Sequence, residues 1–170
     1  MEDRVLSLTP GIVVGFDPGL ERTGYGVLDG RAPSPVIVEA GVIKLSPRRS
    51  LGERLEELHA TAAEILEEHR PSAIAIEDLF HHYERPRTAI LMGHARGVLF
   101  LAAAQLGVEV SGYLPTKVKK HLTGSGRANK EQMQLAIQAQ FGLAEPPQPS
   151  DVADALAIAL CHLNLLRCAG

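Results

Sequence analysis

Four acidic residues stand out because apolar segments surround them: Asp17, Glu77, Asp151 and Asp154. Asp17 closes the run IVVGFD, and Glu77 falls near the end of the similar run SAIAIED. Asp151 and Asp154 open a late apolar segment, and their spacing of three puts both on one face if that segment is helical. Carboxylates gathered closely repel one another unless a divalent cation compensates them. Oxygen ligands without histidine or cysteine favour Mg²⁺ or Mn²⁺ over zinc. Two such ions can activate water for in-line attack on a phosphodiester and stabilise the leaving oxygen. Acids at strand ends or in a first helical turn also serve local needs, notably the helix dipole, and for Asp154 alone that plainer reading weighs equally. For Asp17 and Glu77, each closing an apolar strand, chemistry is the better reading. Asp78 must face opposite to Glu77 in an extended chain and is set aside as a bystander.

A phosphate substrate needs cations, and the formal net charge of −3 is no help until its distribution is considered. Residues 51–78 hold eight acidic residues against two basic ones. Residues 110–130 hold five basic residues and no acid: Lys117, Lys119, Lys120, Arg127 and Lys130. Such segregation can give one face a phosphate-binding character despite the acidic average. Lys119 and Lys130 are the candidates for stabilising charge at the scissile phosphate, with Lys117, Lys120 and Arg127 as more distant backbone contacts.

These side chains must be brought together by the elements around them. At 170 residues the chain suits one domain with a sizeable core. Residues 12–17 read as a buried strand, YGVL at 25–28 as a second after a turn bracketed by Gly19 and Gly24, and 36–43 as a third: an antiparallel meander. Leu51, Leu55, Leu58, Ala62, Ile65 and Leu66 recur at helical intervals, and Pro71 ends that helix. A strand at 72–78, a helix at 87–106 and a strand at 107–114 follow, then helices near 117–122, 130–140 and 151–166, the last with Ser150 as N-cap. The order predicts an α/β fold: a mixed five-stranded sheet with the three antiparallel strands first and helices on both faces. Residues 1–11 form an N-terminal extension to a single domain at 12–166.

The motifs, taken in order, are GFDPGLERTGYGVL (15–28), AIAIEDLF (73–80), GHARGVL (93–99), PTKVKKHLTGSGRANKEQM (115–133) and SDVADALAIAL (150–160). In spacing and order they resemble the bacterial RuvC family of Holliday junction resolvases, from about Ile12 to Leu163. The resemblance implies a ribonuclease-H-like fold and a homodimer that nicks two strands of like polarity in a four-way DNA junction, leaving 5′-phosphate and 3′-hydroxyl ends. It implies metal ligation by Asp17, Glu77, Asp151 and Asp154, with Mg²⁺ as the ion (Mn²⁺ able to substitute) and two ions per site. The first of the two helix positions varies between aspartate and histidine among relatives; here it is Asp151. The family's active-site lysines map onto Lys119 and Lys130, and its base-stacking aromatic onto Phe80. RuvA and RuvB are the implied partners. Two departures are visible: the first strand starts about ten residues late, and HHYERPR after Phe80 is unusually rich in histidine and aromatic character.

Other residues have plainer readings. Phe80 could be core, although its place beyond a strand end beside His81 and His82 suits stacking on a base. Gly124 and Gly126 allow a loop to adapt to DNA, as any turn glycine would. Ala89, Gly93 and Gly97 recur every four residues, suited to close approach by the sheet or, preferably, by a partner helix in a two-fold dimer. Arg96 then faces either that interface or DNA, and the sequence does not choose. Cys161 and Cys168 read as small buried or half-buried hydrophobes. The N-terminus lacks a signal-peptide core and the apolar segments are broken before they could span a bilayer, so a cytoplasmic protein with no membrane contact is expected.

Three rival functions remain. A nucleotide-dependent kinase of the actin-like superfold needs two such domains, and neither GxxxxGKS/T nor a complete GxGxxG is present. A nuclease on the same scaffold could act on RNA, an RNA–DNA hybrid or a ribosomal RNA precursor. A non-catalytic junction-binding dimer would make the acids dispensable, but unscreened acids beside a phosphate-binding surface weaken binding.

Overall fold

The computed structural model describes residues 10–79 and 86–169. Phe80, His81 and His82 lie outside the described residues, as does most of the N-terminal extension. Ten elements follow in chain order: β1 (Ile12–Asp17), β2 (Arg22–Asp29), β3 (Val36–Lys44), α1 (Leu51–His69), β4 (Ala73–Glu77), α2 (Pro86–Gln105), β5 (Val110–Tyr113), α3 (Pro115–Thr123), α4 (Lys130–Phe141) and α5 (Ser150–Ala169). The strands form one sheet in the order β3-β2-β1-β4-β5. β1, β2 and β3 pair antiparallel, whereas β4 and β5 continue parallel to β1. The expected α/β fold, a mixed five-stranded sheet opened by an antiparallel meander, is the one observed.

Alternation along the central strands divides two cores. Val14, Phe16, Ile74 and Ile76 face α1 and α2, where they meet Leu58, Leu66 and Leu99. Val13 and Ala75 face the other way, onto Leu156, Leu160, Met133 and Ile137 of α4 and α5. Period-two burial on both faces is what a sheet covered by helices on each side requires.

Local signals fix the helix ends. Ser50 and Glu53 form a reciprocal capping box at the start of α1. Arg70 ends that helix in the left-handed region at φ 44°, donating its N–H to the Leu66 carbonyl, so the stop comes one residue before Pro71. Asn129 and Gln132 cap α4 in the same reciprocal way, and Gly124 closes α3 at φ 78°. Gly124 is therefore a helix stop, not a freely adapting loop residue.

Three sequence expectations need correction. β2 begins at Arg22, so Gly24 lies inside the strand opposite Asp17 and does not close a turn. The turn itself is held by Thr23, whose hydroxyl donates to the Gly19 carbonyl at 2.7 Å and accepts from the Gly19 N–H at 3.1 Å. Ser150 is the first residue of α5 and not its N-cap. Cys161 is buried, but Cys168 is exposed.

Candidate active site

The sheet register builds the site. Phe16 pairs with Ile76 across parallel β1 and β4, so the next residues, Asp17 and Glu77, stand side by side at one edge of the sheet. Both fall on the face covered by α5, as the parity with Val13 and Ala75 requires. Helix α5 then brings Asp154 over that edge.

How closely α5 approaches depends on glycines opposite its backbone. A Cβ on Gly15 would land on the Ala155 carbonyl oxygen and lie 2.7 Å from the Ala159 nitrogen. A Cβ on Gly24 would strike the Asp151 carbonyl, and one on Gly26 would meet Leu156 Cδ2 at 2.7 Å. Helix and sheet backbones touch because β1 and β2 supply no side chain there, and alanines at 153, 155, 157 and 159 complete the fit. These glycines set the depth at which the α5 carboxylates sit.

The result is a cleft of about 220 Å³ lined by Asp17, Glu77, Asp154, Lys119, Lys130, Met133 and Pro115. Lys119 enters from α3 and Lys130 from the first turn of α4, where its Nζ lies 3.3 Å from the Ser150 hydroxyl. Burial, reinforced by Glu77, Asp154 and Asp151, holds the Asp17 carboxyl well above the usual carboxylate range, with Lys130 opposing. Burial, then the Asp154 charge, pushes Glu77 up to about 7 against the pull of Lys119 and Lys130. Burial also raises Asp154. Three desolvated carboxylates whose charged forms are disfavoured, faced by only two ammonium groups, form a donor set suited to a divalent cation.

Asp151 stands outside the lining of this cleft, with its Oδ2 3.9 Å from Arg22 Nε, although its charge is felt at Asp17. Lys117, Lys120 and Arg127 are exposed and do not line the cleft; Lys117 Nζ sits 5.1 Å above the Tyr113 ring. Among the described residues, the group whose ligand atoms all lie within 4.8 Å of one another, and so could hold a metal ion, is a different one: Glu39, Glu68 and His69. It sits where β3 meets the end of α1, and nothing in its sequence spacing announced it.

The family model for crossover junction endodeoxyribonuclease RuvC matches residues 13–162. The chain belongs to the RuvC family. A crossover junction endodeoxyribonuclease RuvC of Rhodopirellula baltica is 51% identical over 164 residues, covering 95% of this chain and 92% of that protein. One of Pelotomaculum thermopropionicum is 43% identical over 153 residues, covering 90% and 93%. The solved structure of T. thermophilus RuvC in complex with Holliday junction substrate superposes with a TM-score of 0.86 at 38% identity, covering 94% of this chain and 96% of that one. The RuvC resemblance read from the motifs is therefore correct.

Sequence reasoning missed three contacts around the cleft: the glycines beneath α5, Arg22 beside Asp151, and the pairing of Arg96 with Asp78 at the end of β4. Within its own protomer, Arg96 is tied to the end of β4. It pairs with Asp78, donates from Nε to the Glu77 carbonyl at 3.2 Å and stacks on Phe100 at 4.5 Å. The glycines carried a signal in GFDPG and TGYG, but only the crossing of α5 explains it.

Proposed function

We propose that this RuvC-family chain is a homodimeric endonuclease that resolves four-way DNA junctions by nicking two strands of like polarity, leaving 5′-phosphate and 3′-hydroxyl ends. The observation that carries this reading is the cleft itself: three half-buried carboxylates from β1, β4 and α5 faced by Lys119 and Lys130. Its similarity to a protein solved with Holliday junction substrate supports the choice of DNA structure.

Asp17, Glu77 and Asp154 would hold Mg²⁺, or Mn²⁺ in its place, with Asp151 joining for a second ion at the rim. Such ions supply the Lewis acidity and charge compensation that phosphodiester hydrolysis needs. The chain's own groups do the positioning. Lys119 and Lys130 hold the non-bridging oxygens of the scissile phosphate and offset the charge that grows on them as water adds to phosphorus. Met133 and Pro115 close one wall and limit water access. Lys117, Lys120 and Arg127 track the flanking backbone, and Phe80 stacks on a base near the crossover.

The dimer is assigned to α2. Among the described residues, a Cβ on Gly97 would meet nothing within 4 Å and one on Gly93 only Leu79 Cδ1 at 3.6 Å, so the described packing of the protomer does not demand these glycines. Ile90 and Leu101 are exposed on the same helix. A partner helix along this stripe would hold two clefts at a fixed separation, which a two-fold junction requires. RuvA and RuvB are the partners proposed for this step, which takes place on DNA in the cytoplasm. No described helix is long and apolar enough to cross a membrane.

The deciding experiment is a strand-resolved cleavage assay on a synthetic four-way junction with Mg²⁺, comparing wild type with Glu77→Gln. Paired symmetric nicks, lost in the variant while junction binding persists, are expected. Preferential cutting of a competing RNA–DNA hybrid would overturn the substrate, and binding without cleavage in either metal would overturn the enzyme.

A further inference from the structure

The end of β4 is gripped on the side away from the cleft. Glu77 pairs with Tyr113 in the parallel β4–β5 ladder, and the next N–H, that of Asp78, donates to the Tyr113 carbonyl at 2.8 Å. The Asp78 carboxylate folds back over β5 at Gly112, where a Cβ would fall 2.6 Å from its Cγ. That glycine is absent a side chain where the carboxylate needs the space. Arg96 of α2 closes the arrangement from above: one edge of its guanidinium binds Asp78 Oδ1 and its Nε donates to the Glu77 carbonyl at 3.2 Å. The Phe100 ring lies 4.5 Å beneath the guanidinium carbon and holds its plane.

This grip has a geometric consequence for the cleft. In a strand the direction of a side chain is set by the peptide planes on either side of it. The plane following Glu77 has its carbonyl held by Arg96 and its N–H held by Tyr113, so the Glu77 Cα–Cβ bond has little freedom to swing. We infer that Arg96, acting through the Glu77 carbonyl and Asp78, is a positioning residue that aims the Glu77 carboxylate into the cleft. The inference rests on the nuclease reading of that cleft. It also changes the place of Asp78, which faces away from Glu77 as alternation demands but anchors the arginine instead of standing by. An arginine suits this task because its planar fork serves a carbonyl and a carboxylate at once; a lysine ammonium reaches one or the other.

The test uses the full-length protein with Arg96→Gln, Arg96→Lys, Asp78→Asn and the double variant Asp78→Asn/Arg96→Gln. Loss of an outer group that orients a ligand typically costs on the order of 10–100-fold in affinity or activity. Single-turnover junction nicking by Arg96→Gln should fall by about that factor, with half-saturation in Mg²⁺ moved upward and junction affinity without divalent metal unchanged. Calorimetric titration of the DNA-free protein with Mn²⁺ should show correspondingly weaker binding. Arg96→Lys should recover part of the loss, and the double variant should be no worse than Arg96→Gln, because the two residues act as one unit. A merely structural role would lower stability and leave both metal responses alone. Wild-type nicking rate, Mg²⁺ dependence and Mn²⁺ affinity in Arg96→Gln would overturn the inference while leaving the Glu77 reading intact. If Arg96→Gln does not fold, Asp78→Asn decides by the same readouts. A wild type that fails to nick junctions removes the nuclease reading first and the inference with it.

Discussion

Two groups of carboxylates in this protein meet opposite fates. At the junction of β3 and α1, Glu39 accepts the Tyr25 hydroxyl at 2.6 Å and faces His69 Nε2 at 2.8 Å. The Tyr25 hydrogen bond, then that of His69, holds its carboxyl below the usual range, while burial and Glu39 together push Tyr25 up to about 12. In the cleft, by contrast, none of the described residues donates a hydrogen bond to the side chains of Asp17, Glu77 or Asp154, and burial raises all three. The first group is satisfied by its own protein and contributes to the fold. The second is left unsatisfied, and that unmet demand is what a divalent cation can answer. Stability and function pull a carboxylate in opposite directions, and the two regions show each case separately.

The largest expected effect sharpens this contrast. Glu77→Gln should lower junction nicking by on the order of a thousandfold or more, since several kcal/mol of charge stabilisation are removed from the transition state; Glu39→Gln should leave single-turnover nicking within about twofold of wild type. A comparable loss in both, measured in one strand-resolved assay, would break the distinction.

Stability should respond to pH with opposite signs in the two regions. Glu77 titrates near 7 in the folded chain against 4.5 as a free group, so the folded state holds its proton longer than the unfolded state does. Metal-free stability therefore falls as pH rises between those values, by on the order of 3 kcal/mol from this group. Urea unfolding at pH 8 should find metal-free Glu77→Gln more stable than wild type, and Mg²⁺ should stabilise the wild type more than the variant. Glu39 acts conversely: its lowered carboxyl adds stability above its unfolded pKa, and this is lost as pH falls through the folded value.

Removing the imidazole is a smaller change. His69→Ala should destabilise by ~1–2 kcal/mol, because its side chain is only 10% exposed and Glu39 loses a partner. Thermal unfolding at pH 7 checks this, and an unaltered melting temperature would deny the Tyr25–Glu39–His69 group its structural role. The smallest effect is expected at Lys120, exposed and outside the cleft lining. Lys120→Ala should weaken junction binding by a few-fold and reduce the salt dependence by about one phosphate contact, with the nicking rate of bound junction unchanged.

Much of this was legible along the chain. The unbroken apolar runs that end at Asp17 and Glu77 mark strands buried on both faces and put these acids at strand ends, and the helical spacing from Leu51 to Leu66 announces α1. The Asp151/Asp154 pair fixed the helix that would bear ligands, but only partly its use, because Asp151 sits beside Arg22 at the rim while Asp154 enters the cleft. The acid-free stretch drew attention to Lys119 and Lys130, set apart there from Lys117 and Lys120 as the nearer pair, and these two are the lysines that line the cleft.

Sequence by itself determined the kinds of element, their order and the side chains able to do chemistry, because hydrophobic period, capping and charge are local properties. Tertiary structure alone decided which of those side chains meet. The parallel register of β1 with β4 sets Asp17 beside Glu77, and Gly15 and Gly24 let α5 close to backbone contact above them. Arg96, from a helix 19 residues along the chain from Glu77, takes hold of the strand end. Each of these depends on distances between segments remote in sequence, and such distances are fixed by packing two helical layers on one sheet.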